Sequence, residues 1–157
     1  MAVLETAHSD STLCIVTTRN IQVNIWSNAP TVVQVRAFGR ASATITRRHL
    51  RGAGLINLIK SGKATFSEEV REELVKLMKT SVFLLGASHV VVVGGLTGTA
   101  VRAFMSTVIL LGRPAVPNKV FSEPKAAAAW HVPLLAQGAE PWSAAEFVAL
   151  LEQAQLS

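Results

Sequence analysis

The sequence predicts an α/β fold on a mixed, mostly parallel sheet, and three observations point to it. His89 to Phe104, HVVVVGGLTGTAVRAF, runs four valines into a glycine pair, a Thr-Gly-Thr turn and an amphipathic segment. A strand buried on both faces hands over to a helix in this way. Ile21 to Trp26 and Thr31 to Phe38 each alternate apolar with polar residues around Ser27, Asn28 and Pro30, which predicts an antiparallel hairpin. Downstream, helix-like and strand-like periodicities alternate, as they do in parallel β-α units.

The elements follow in order. Leu13 to Thr18 reads as a further strand or an extended arm, with only Arg19 and Asn20 between it and the next strand. After the hairpin, Ser42 to Leu50 reads as a short helix weakened by Thr44, Ile45 and Thr46, whose branched side chains are stiff at χ1. Leu55 to Ile59 is an apolar strand. Thr65 to Lys79 is the clearest helix: Thr65 and Glu68 form a capping box, Val70, Leu74, Leu77 and Met78 share one face, and Glu72 and Lys76 form an i,i+4 pair. The valine strand and its helix follow, burying Val101, Phe104, Met105, Val108 and Leu111 before Gly112 and Pro114 stop it. Val116 to Phe121 is the last strand. Ser122 and Pro124 open an alanine-rich helix reaching Trp130, and Ser143 with Glu146 caps a terminal helix striped by Phe147, Leu150, Leu151 and Ala154.

A chain of 157 residues, 50% hydrophobic, matches one domain with its own core. The expected organisation is a flexible N-terminus over 1–11 and a single domain over 12–157, with an extra C-terminal helix over 143–155. The single cysteine, Cys14, has no intramolecular partner, and Met1 to Asp10 lacks a secretory pattern, so the cytoplasm is the expected compartment. No membrane span is expected, because Ser81 to Leu96 is interrupted by His89 and glycines and Ala103 to Gly112 falls short of the ~20 residues a bilayer requires.

The element order resembles the STAS fold in its SpoIIAA-like branch, the anti-sigma factor antagonists and related regulatory modules. The resemblance covers about Ile21 to Trp130. It rests on the opening hairpin, the segment LINLIKSGKATFSEEVREEL, the HVVVVGG strand, and KVFSEPKAAAAW as closing strand and helix. It implies a protein-binding regulatory domain with a phosphorylatable hydroxyl at the start of its second helix. Ser61, Thr65 and Ser67 occupy the matching turn, beside Lys60 and Lys63, where a helix N-terminus suits a phosphate. Family members usually have an aspartate at the end of the strand before this turn, whereas here the strand runs Leu55, Ile56, Asn57, Leu58, Ile59 and then Lys60. The structural alternative for these hydroxyls is capping or turn formation.

Two other readings compete. Gly94, Gly95, Thr97, Gly98, Thr99 and Arg102 offer a glycine turn, hydroxyls and a cation for a small ligand or nucleotide. Yet GGLTG matches neither dinucleotide nor P-loop spacing, and its glycines also suit close packing. The net charge of +5 is lopsided: no acid lies between Ser11 and Ser67, while Glu140 onward carries only acids. The basic segment Arg36–Lys63, with Arg40, Arg47, Arg48 and Arg51, suits a polyanion, though Phe38 is its only nearby ring and nucleic acid is not favoured. Catalytic groups are sparse: Asp10 is the only aspartate, the histidines His8, His49, His89 and His131 are isolated, and Cys14 reads as a buried thiol. The expectation is therefore a non-enzymatic regulatory or scaffold domain without cofactor or metal, acting through a protein partner, with a homo-oligomer as a further expectation.

Overall fold

The computed structural model describes residues 2–62, 66–80, 83–138 and 140–157. Its strands are β1 (Glu5–Ser9), β2 (Leu13–Thr18), β3 (Ile21–Trp26), β4 (Ala53–Ile59), β5 (Leu84–Val91) and β6 (Asn118–Phe121). Its helices are α1 (Val32–Arg48), α2 (Glu68–Thr80), α3 (Gly95–Gly112), α4 (Pro124–Leu135) and α5 (Ala144–Gln155). Among the described residues the six strands form one sheet in the order β1-β2-β3-β4-β5-β6. β1–β2 and β2–β3 pair antiparallel, and β3 through β6 are parallel. The expected α/β class, an antiparallel N-terminal hairpin followed by parallel units, is what the chain forms.

The layering follows from the order. Parallel crossovers are right-handed, so strands that advance in one direction carry their helices on one face. Val35, Phe38 and Ile45 of α1, Val70 and Leu74 of α2, and Val101, Met105 and Val108 of α3 are accordingly buried in one core. Beyond β6 the chain crosses to the other face, where Ala127, Ala128 and Leu135 of α4 and Phe147, Leu150, Leu151 and Ala154 of α5 fill a second core. The α5 stripe thus docks on its own sheet, as expected. Its capping box also forms, with Ser143 Oγ accepting from the Glu146 amide at 3.1 Å and Glu146 Oε2 accepting from the Ser143 amide at 2.8 Å. Ser143→Ala is expected to cost about 1 kcal/mol of stability in denaturant unfolding; an unchanged midpoint would contradict that role.

Three expectations are corrected. The hairpin is β2–β3, not Ile21–Trp26 with Thr31–Phe38. Arg19 adopts φ 50°, which lets the two residues Arg19 and Asn20 close the turn. Thr31–Phe38 instead caps and opens α1, with Thr31 and Gln34 exchanging a capping box and Val35, Phe38 and Ile45 sharing the buried side. The segment read as Ser42–Leu50 is the second half of that helix. Within the N-terminal segment 1–11, residues 5–9 form β1, and Asp10 Oδ1 accepts from the Thr12 and Leu13 amides at 2.9 Å. Hydrogen bonds from His8, then Thr12, Gln34 and Leu13, hold the Asp10 carboxyl far below the usual carboxylate range.

Smaller differences concern ends. The valine strand stops at Val91, and α4 passes Trp130 to reach Leu135. Among the described residues one helix, α3, is long and apolar enough by composition to cross a membrane. In this fold it is the crossover between β5 and β6 and buries Val101, Met105 and Val108 against the sheet.

Candidate functional site

A wide groove surrounds the edge strand β1. Because β1 extends the sheet beyond the helices, α1 on one face and α5 on the other stop short of covering it, and its residues are mostly exposed. The resulting groove has a volume of ≈ 1350 Å³ and is lined by Thr6 and His8 of β1, Arg40, Thr44 and Arg48 of α1, and residues of α5. Arg40, Thr44 and Arg48 recur every four residues and so share one side of their helix. The α1 wall is basic. The α5 wall carries Glu146 and Glu152. Arg48 lies 3.7 Å from Glu5, whereas Arg40 has no ion pair among the described residues. At the end of the groove Arg19 stacks over Trp142 at 4.2 Å and reaches Glu140 at 3.5 Å and Glu146 at 3.7 Å.

The other residues singled out from the sequence are distributed differently. Ser61 Oγ donates to the Ser27 carbonyl at 2.6 Å, tying two loops together. Ser67 Oγ accepts from the Val70 amide at 3.2 Å and caps α2. Thr65 lies outside the described residues, and so does its capping box with Glu68. The basic segment does not present one face: Arg36 pairs with Glu73 at 2.9 Å, Arg48 with Glu5, and Arg47 and Arg51 are exposed apart from that pairing. Part of the charge asymmetry of the sequence is therefore neutralised within the fold.

In the glycine turn, Gly95 has φ 67°, and a Cβ on Gly98 would overlap the Val93 carbonyl oxygen. Thr99 Oγ1 donates back to the Gly95 carbonyl at 3.2 Å, and Arg102 donates to Thr99 Oγ1 at 3.3 Å. Thr97 is exposed. Gly98 thus serves the close start of α3, and Gly95 supplies the left-handed backbone ahead of it. Gly98→Ala is expected to cost roughly 1–3 kcal/mol by overpacking, whereas Gly94→Ala, with nothing within 4 Å, should be nearly neutral. Equal unfolding midpoints for the two variants would contradict this assignment.

The sequence reading missed a row of buried polar side chains across the sheet beneath α1–α3. In the register Asn24, Asn57 and His89 are direct neighbours on β3, β4 and β5. Gln22 Nε2 donates to Asn24 Oδ1 at 2.8 Å, and Asn24 Nδ2 donates to Asn57 Oδ1 at 3.0 Å. Trp26 Nε1 donates to the same Asn57 oxygen at 3.0 Å. An indole N–H only donates, so it fixes the orientation of each amide in the chain. On β5, His89 Nε2 bonds to Asn118 Oδ1 at 3.0 Å, leaving Nδ1 buried without a partner. Burial pushes His89 down to about 4, so its ring is neutral at pH 7.

Trp26, Asn57 and His89 also line a cavity of ≈ 40 Å³ at the carboxyl ends of β3–β5. The signal that would have revealed the row was present: Gln22, Asn24 and Asn57 are polar residues inside strands that a parallel sheet covers on both faces. On the opposite face His131 Nε2 bonds to Ser88 Oγ at 2.7 Å and stacks on Phe147 at 5.0 Å. No group of three or more His, Cys, Asp or Glu side chains suited to hold a metal occurs among the described residues.

Compared with known proteins, the chain matches no protein-family model, and no curated protein matches it.

Proposed function

We propose that this chain is a non-enzymatic regulatory or scaffold domain that acts by protein–protein contact, receiving an extended segment of a partner along β1. The observation that carries this reading is the ≈ 1350 Å³ groove around a strand whose outer backbone edge is unpaired in the sheet. Added strands gain affinity from main-chain hydrogen bonds and specificity from pockets for alternate side chains. The irregularity between Thr6 and His8 breaks the ladder and so disfavours indiscriminate edge pairing.

Successive side chains of an extended segment point to opposite faces. The basic α1 wall and acidic α5 wall therefore suit a segment with acidic residues on one face and basic residues on the other. The resemblance to SpoIIAA-like regulatory modules supports the same reading.

Photo-crosslinking groups placed at Thr6 and at Thr44 in native extract test it, with Lys119 on the far edge strand as control. The expected result is crosslinking of both groove positions to one stretch of one polypeptide, weakened by Arg40→Glu. Crosslinks no stronger than at Lys119, or turnover of a metabolite by the purified chain, would overturn the reading.

A further inference from the structure

The buried polar row ends where Asn57 and His89 sit side by side across β4 and β5. Asn57 Oδ1 is saturated by Asn24 and Trp26, and its Nδ2 has no partner among the described residues. His89, its neighbour across the strands, keeps Nδ1 unpartnered although the residue is only 3% exposed. With Nε2–H donating to Asn118, Nδ1 is an acceptor. Asn57 and His89 thus line one cavity without bonding to each other, and the buried His89 acceptor left unsatisfied is costly. A hydroxyl completes both, since its oxygen accepts from one and its hydrogen donates to the other.

We propose that this cavity binds a small uncharged ligand through a hydroxyl held between Asn57 Nδ2 and His89 Nδ1, with an aromatic or alicyclic body against Trp26, Phe38 and Phe66. The cavity of ≈ 40 Å³ has room for the polar head, and the body rests at the rim. Among the described residues its lining contains no acidic or basic residue besides the neutral His89, and an ionic ligand would lose hydration there without compensation from them. Phe66 at the rim is held in place by stacking on Phe104 at 3.9 Å. The location also fits, because open parallel sheets bind ligands at the carboxyl ends of their strands. Chained amides polarise one another and strengthen the terminal donor, here Asn57.

Three probes differing in one group test this: phenol, anisole and benzoate, titrated into ¹⁵N-labelled protein. The expected result is a saturable shift of the Trp26 indole and Asn57 side-chain signals with phenol. Anisole, which accepts but cannot donate, should bind roughly tenfold more weakly because it strands the His89 acceptor, and benzoate should not saturate. In His89→Leu the preference for phenol over anisole should vanish while the amide spectrum remains dispersed. The comparison of probes on the unmodified chain stands whether or not that variant folds. No saturable phenol shift would mean a cavity filled by structural water only, and would overturn the proposal. Equal affinity for phenol and anisole, saturation by benzoate, or shifts confined to Trp142 would overturn it too.

Discussion

Replacing Asn57 by alanine is expected to destabilise the fold by about 4 kcal/mol, because one oxygen satisfies two buried donors. Trp26 Nε1 and Asn24 Nδ2 both lose their acceptor at 3.0 Å, and neither side chain has water within easy reach, with Trp26 at 5% and Asn24 at 0% exposure. Each stranded donor costs roughly 1–3 kcal/mol, and the vacated space adds to the loss. A second substitution separates these contributions. Trp26→Phe removes the stranded indole donor, so the Asn57→Ala/Trp26→Phe double variant should lose less than the sum of the two single variants. Denaturant unfolding of the four proteins measures the coupling; strict additivity would show that the indole bond to Asn57 carries no energy.

The second large effect is loss of stability in mild acid. Burial pushes His89 from 6.5 down to about 4 and His131 down to about 3. Both rings are neutral in the fold. Below pH 6.5 the unfolded chain takes up protons that the folded chain refuses, so stability falls as pH drops through 6.5. The loss continues to the folded values, near pH 4 for His89 and near pH 3 for His131, and then levels off. At 1.36 kcal/mol per pH unit, His89 alone contributes about 3 kcal/mol over this window. Unfolding free energies at pH 7, 5.5 and 4.5 should decline progressively, and His131→Phe should flatten part of the slope whatever its effect at pH 7. A flat profile, or a slope unmoved by that substitution, would place the acid sensitivity elsewhere.

How much of this was readable in the sequence depends on what holds each element. β4, β5, α2, α3 and α5 were legible because apolar spacing and caps such as Ser143–Glu146 record burial directly. Val32 to Phe38 fits both period 2 and a helical stripe, and tertiary packing chose the helix that Thr31 and Gln34 cap. β1, with the sequence ETAHS, carries no apolar alternation, since ladder hydrogen bonds to β2 and the Asp10 turn hold it. Gln22 and Asn24 looked like the wet side of a hairpin. Only the parallel partner β4 and the overlying α1 make them interior.

For the candidate sites the limits were spatial. Arg40 and Arg48 were singled out for charge, and they line the groove. The groove itself arises from where α1 and α5 end relative to the sheet edge, which no local pattern encodes. His89 was recognised as a buried strand residue, but its juxtaposition with Asn57 depends on register across 32 positions of chain.

The most direct test of edge-strand docking is amide hydrogen exchange of the whole chain, with and without the partner segment identified by crosslinking at Thr44. The outward-facing amides of Glu5–Ser9 are expected to exchange fast in the free chain and slow on binding, with those of Asn118–Phe121 on the opposite edge unchanged. Unaltered exchange along Glu5–Ser9 at saturating segment would contradict it.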